Sequence, residues 1–170
     1  MTRTRKRSPV DPIRIALIVG AVFTGLFTGL MLTFQIVIQR LLNRMEAPAY
    51  TATMKQLIQA ADNPPVVPGM VILAMLGPLV ALVLLREHSG SLTFILTAIA
   101  LGLFVVFSFL VTIVLNVPIN NAIAKEWTVE QPPANWQTMR NRWNNLNWYR
   151  TPSSAIAFLL LLVTLALPLP

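Results

Sequence analysis

The chain has 170 residues, 55% of them hydrophobic and 11% charged, with a net charge of +7 and no cysteine. With a mean hydropathy of +0.67, this leaves too little polar surface to wrap a soluble core, and it excludes disulfides and thiolate metal sites. The length leaves no room for a second domain beside four spans and their connections.

Hydrocarbon offers no water to backbone amides, so a span must be a helix of about 20 apolar residues or part of a closed barrel. Four charge-free stretches, residues 15–34, 66–85, 92–115 and 152–168, meet the helix requirement. Alternating barrel strands are nowhere visible. The expected fold is an all-α, integral membrane bundle of four transmembrane helices, with an extra interfacial helix between spans three and four. Residues 1–14 form a basic N-terminus and residues 15–170 a single membrane domain.

Five of the thirteen basic residues, Arg3, Arg5, Lys6, Arg7 and Arg14, precede span one. Their expected partner is anionic membrane lipid, not nucleic acid. By the positive-inside rule they hold the N-terminus, and after four spans the C-terminus, on the cytoplasmic side of a cell (inner or plasma) membrane. The long connections also carry bases (Arg40, Arg44, Lys55; Lys125, Arg140, Arg142, Arg150), but these are spread over many more residues. Ala47-Pro48-Ala49 has the small residues of a signal-peptidase site, yet it lies too far from the apolar run and contains a proline, so span one is expected to stay in the mature protein.

Asp11 followed by Pro12 reads as an N-cap and first-turn proline opening helix one. Ala21, Gly25 and Gly29, with Thr24 and Thr28 beside them, form a small-residue face suited to close packing within the bundle. Alternating apolar and polar residues beyond Phe34 predict that the helix projects past the membrane until Pro48 stops it. A short amphipathic helix over about residues 50–61 follows. Asn63-Pro64-Pro65 and Pro68 then impose an extended approach to span two, which Gly77-Pro78 should kink. His88, the only histidine, falls in a polar turn and reads as a solvated residue. No metal site is expected.

Span three closes on Asn116-Val117-Pro118-Ile119-Asn120-Asn121. Asn116 and Asn120 share a face if the helix continues, and amides at this depth should face protein; capping near Pro118 is the plainer role. All four tryptophans then gather in one connection. An aromatic belt would account for that alone. From residue 135 to 150, however, nothing breaks a helix, and Trp136, Arg140, Trp143, Asn147 and Arg150 recur at spacings of four and three, in one stripe. Met139 and Leu146 flank it. Two guanidinium groups, an amide and two indoles on one stripe suit binding of a flat anion. Snorkelling of the arginines to headgroup phosphates is the alternative.

Asn116-x-Pro118-x-Asn120 followed by Trp143-x3-Asn147-x2-Arg150-Thr151 resembles the anthrone oxygenase family of four-span membrane proteins. The resemblance covers span order and loop lengths across most of the chain and is sharpest over residues 116–151. The proline often found in that family just after span one is absent here, where residues 35–42 stand. The resemblance implies oxidation of a planar, hydrophobic aromatic substrate, an anthrone, by molecular oxygen without a cofactor. The protein must then stabilise a substrate anion. Arg140 and Arg150 are the candidate catalytic residues for that task, and Asn116, Asn120, Trp136, Trp143 and Asn147 the candidate substrate-binding ones. A hydrophobic substrate can arrive from lipid. No general base stands out, since Glu46, Asp62, Glu126 and Glu130 all lie in connections. The competing reading is a non-catalytic structural or accessory tetraspan protein. A transporter is disfavoured, because no span buries an ionisable residue to couple ions. The discriminating observation is whether Arg140 and Arg150 point into the bundle or towards lipid.

Overall fold

The structure, a computed structural model, describes residues 11–62 and 65–170. The basic cluster at Arg3, Arg5, Lys6 and Arg7 and the Asn63-Pro64 part of the approach to span two lie outside the described residues, whereas Pro68, expected in an extended approach, sits in the first turn of the helix Val66–Leu84, where a missing N–H costs nothing. Five helices of more than one turn occur among the described residues: α1 (Pro12–Leu42), α2 (Ala47–Asp62), α3 (Val66–Leu84), α4 (Leu92–Lys125) and α5 (Trp136–Ala166). All but α2 are long and apolar enough to cross a membrane. The protein is an all-α membrane bundle of four spans.

α1 opens as its sequence dictates, with the Asp11 carboxylate accepting from the Ile13 N–H at 2.8 Å and Pro12 in the first turn. It runs beyond the apolar stretch to Leu42, through a π-helical turn over Phe34–Ile38. Pro48 does not stop it. Leu42 is the last helical residue, and Pro48 instead sits at the start of α2, where its missing N–H is one the first turn leaves unpaired anyway. The amphipathic helix expected over residues 50–61 is α2, and Tyr50 and Met54 form its buried face.

α3 is seated on α1. A Cβ on Gly77 would meet the backbone N of Gly20 and, at 2.7 Å, the carbonyl oxygen of Ala16, and a Cβ on Gly20 would lie 2.5 Å from the Pro78 ring. α3 is helical throughout, so Gly77-Pro78 serves as the point of close packing. Of the small-residue face, Ala21, Thr24 and Thr28 are buried and Gly25 lies under Phe158, whereas Gly29 faces open space. Each step of four residues drifts about 40° round a helix, which carries Gly29 out of the contact.

α4 begins at Ser91, whose hydroxyl accepts from the Phe94 N–H at 3.2 Å. It contains π-helical turns over Phe104–Leu110 and Thr112–Asn116 and continues through Pro118 to Lys125. The interfacial helix expected between spans three and four is not a separate element. Residues 136–150 are helical, but they run without a break through Pro152 into span four. Pro152 leaves the Trp148 carbonyl without its helical N–H donor, and hydroxyls gather on the next two carbonyls: Ser153 Oγ donates to that of Tyr149 at 2.7 Å, and Ser108 Oγ to that of Arg150 at 3.3 Å.

The four spans form a ring in the order α1, α3, α4, α5. The Arg86–His88 turn marks one face, with His88 exposed. On the opposite face, here the loop face, the ends of α1 and α4, the start of α5 and the whole of α2 gather Leu42, Tyr50, Met54, Ile123, Trp127 and Leu146 into a second apolar cluster.

Candidate functional site

Between the four spans, below α2, lies a cavity of about 540 Å³. Apolar side chains dominate its lining. Phe27 and Phe34 come from α1, Leu57 and Ala61 from the end of α2, Val71 from α3, and Phe104 and Phe109 from α4. Phe27 and Phe104 meet edge to face at 5.3 Å, and Phe34 meets Trp143 likewise at 6.1 Å. The π turns of α1 and α4 both border this space. Such wide turns recur at functional sites, because they displace side chains from the regular helical register.

Five of the seven residues singled out from sequence line the cavity: Asn116, Asn120, Trp143, Asn147 and Arg150. They form its polar corner. Arg150 is 6% exposed, and its Nη1 donates to Asn147 Oδ1 at 3.1 Å. Trp143 Nε1 donates to Asn120 Oδ1, also at 3.1 Å. Ser108 and Ser153 meet at 3.2 Å below them. Among the described residues Arg150 has no carboxylate partner, the one ion pair being Arg86 with Glu87 at the surface. Arg150 Nε, Asn147 Nδ2 and Asn116 Oδ1 are buried without any hydrogen-bond partner. Unpaired buried groups are costly and call for an explanation; a ligand in the adjoining space is one.

Trp136 and Arg140 are not at the cavity. The Arg140 guanidinium stacks on the Trp136 ring at 4.9 Å and donates to the Asn43 carbonyl at 3.4 Å, while Trp136 packs on Tyr50 at 5.6 Å. The stripe does face inward, but at 1.5 Å per residue it is about 21 Å long and outreaches a single cavity. Its first half therefore holds the loop-face cluster together. Burial of Tyr50 there pushes its hydroxyl up to about 12, against the lowering effect of the Arg140 charge. Nor are the tryptophans a belt: Trp127 and Trp143 are buried, and only Trp148 is largely exposed.

Ser108, Thr112 and the phenylalanines were not legible as site residues. Ser108 and Thr112 continue, at steps of four, the series of Asn116 and Asn120 in α4, a spacing that becomes informative only once the π turns are known.

The family model for anthrone oxygenase matches residues 62–160, more than half of the chain. The chain belongs to the anthrone oxygenase family. The match takes in α3, α4 and α5 as far as Leu160, and with them every polar lining residue; the α1 wall, with Phe27 and Phe34, lies before it. No curated protein and no solved structure matches the chain.

Proposed function

We propose that this member of the anthrone oxygenase family holds a planar, hydrophobic aromatic molecule in the cavity and oxidises it with molecular oxygen. The observation that carries the reading is Arg150, among the described residues the one charged side chain in the lining and one without a carboxylate partner, buried at the polar corner of an otherwise apolar space. In the reaction the CH₂ of an anthrone loses a proton, and the resulting anion passes an electron to oxygen. A C–O bond forms, and the hydroperoxide loses water to leave a carbonyl; one anthrone and one oxygen molecule give one anthraquinone and one water. Arg150 and Asn147 would hold the anionic oxygen, where preorganised donors in a water-poor site count most. Trp143 and the phenylalanines would fix the ring plane. Anionic lipid is the partner of the basic N-terminus, which sets both termini on the cytoplasmic side.

A second reading has its own support. Among the described side chains, of which Asp62 is not one, no carboxylate or imidazole lines the cavity as a general base. That favours a non-catalytic tetraspan protein that binds an aromatic ligand.

Oxygen uptake by membranes containing the protein, supplied with a reduced anthrone, separates the two. Arg150→Lys, which keeps the charge but loses the planar fork, should abolish most of the uptake and leave the fold intact. Arg140→Ala, outside the cavity, should leave uptake near the native rate. An unchanged rate in Arg150→Lys removes the oxygenase assignment.

A further inference from the structure

The walls of the cavity are not equally closed. α1 and α3 are locked through Gly20 and Gly77, α1 and α5 meet at Phe34 and Trp143, and α4 is bonded to α5 through Ser108 and Asn120. α3 and α4, by contrast, touch mainly along Leu92–Leu103, and their contact thins beyond Phe104. Along this gap the cavity lining presents Ile72 from α3 and, nearer the loop face, Ile113 from α4. Both line the cavity, yet they are 50% and 49% exposed on the outside. A side chain that is wall within and surface without marks a mouth.

Ile72 lies about 18 Å along α3 from Leu84 at 1.5 Å per residue, inside a hydrocarbon layer of about 30 Å. Ile113 lies about 31 Å along α4 from Leu92 on the same measure, so the mouth opens on acyl chains at Ile72 and reaches the headgroup boundary at Ile113. Val71 and Phe109 stand just within it, so an apolar molecule crossing from lipid loses no hydration on the way. The polar lining beyond it includes Thr112, Asn116 and Arg150.

We propose that the cavity loads sideways from the bilayer between Ile72 and Ile113, and that its ligand is a lipid-dissolved planar aromatic whose carbonyl or phenolate oxygen travels inward to Arg150. The aromatic class rests on the function proposed above; the lateral route rests on the gap.

The chain has no cysteine of its own, so Ile72→Cys/Ile113→Cys can be bridged by a cleavable bis-maleimide in phosphatidylcholine nanodiscs. Anthraquinone is the probe, followed by stopped-flow quenching of tryptophan fluorescence, with Trp143→Phe identifying the saturable signal from the cavity. Bridging should slow association and dissociation alike, by about tenfold, and leave the equilibrium affinity unchanged, because a barrier on a route acts in both directions. Cleaving the bridge should restore both rates. Ile72→Ala/Ile113→Ala, which widens the gap without cysteines, should speed both. Unchanged rates in protein shown by mass to be bridged, or a shift in affinity without a shift in both rates, overturn the lateral route alone. Absence of saturable quenching in the unbridged protein overturns the aromatic-ligand reading and this proposal together.

Discussion

Trp143 and Asn120 are joined by a single hydrogen bond of 3.1 Å, indole N–H to amide oxygen, which ties α5 to α4 at the edge of the cavity. Neither residue has another side-chain hydrogen bond among the described residues, so each depends on the other. Trp143→Phe and Asn120→Leu should each destabilise the bundle, and the double variant by less than their sum. The expected coupling is about 0.6 kcal/mol, the average for such bonds between membrane helices. Thermal unfolding of the four proteins in one detergent measures it, and strict additivity would show that the bond contributes nothing.

Gly77 has no room for a side chain, since its neighbour is the backbone of Gly20 and Ala16, which cannot move aside without shifting a helix. Gly77→Ala should cost about 1–3 kcal/mol, in the range of overpacking. Gly29→Ala, where nothing lies within 4 Å, should instead gain up to about 1 kcal/mol of helix propensity. Equal effects at the two glycines would refute the α1–α3 contact.

The Tyr50 hydroxyl is buried without a partner, so Tyr50→Phe should leave stability unchanged or raise it. The pH dependence has a definite sign. The folded state holds the phenolic proton up to about pH 12, above the ordinary value of 10.0. The unfolded state therefore releases the proton first, and stability that is intact below pH 10 falls as pH rises towards 12. Tyr50→Phe should remove that part of the alkaline loss, as read from melting temperatures across the range.

The sequence makes some of this legible because two of its signals are physical necessities. Charge-free runs reveal spans, since hydrocarbon tolerates little else, and a period of 3.6 puts Trp143, Asn147 and Arg150 on one face whatever surrounds them. What periodicity lacks is depth: it groups Trp136 and Arg140 with Arg150 although a length of helix separates them. The role of Pro152 was hidden for another reason. A proline reads as a break, and only the structure shows the helix running through it, with hydroxyls of Ser153 and of Ser108 from a different span on the neighbouring carbonyls. Gly20 escaped notice because its partner, Gly77, is remote in sequence, and close packing is a property of pairs.

The cluster of Leu42, Tyr50, Met54, Ile123 and Trp127 forms a roof on the loop face, where helices project beyond the lipid. Its cohesion comes from excluding water, so urea and cold should loosen it, whereas helices packed against acyl chains gain little from that force and lose little with it. Mild denaturant should thus uncap the chamber while the bundle beneath still stands, so that the two come apart in separate stages.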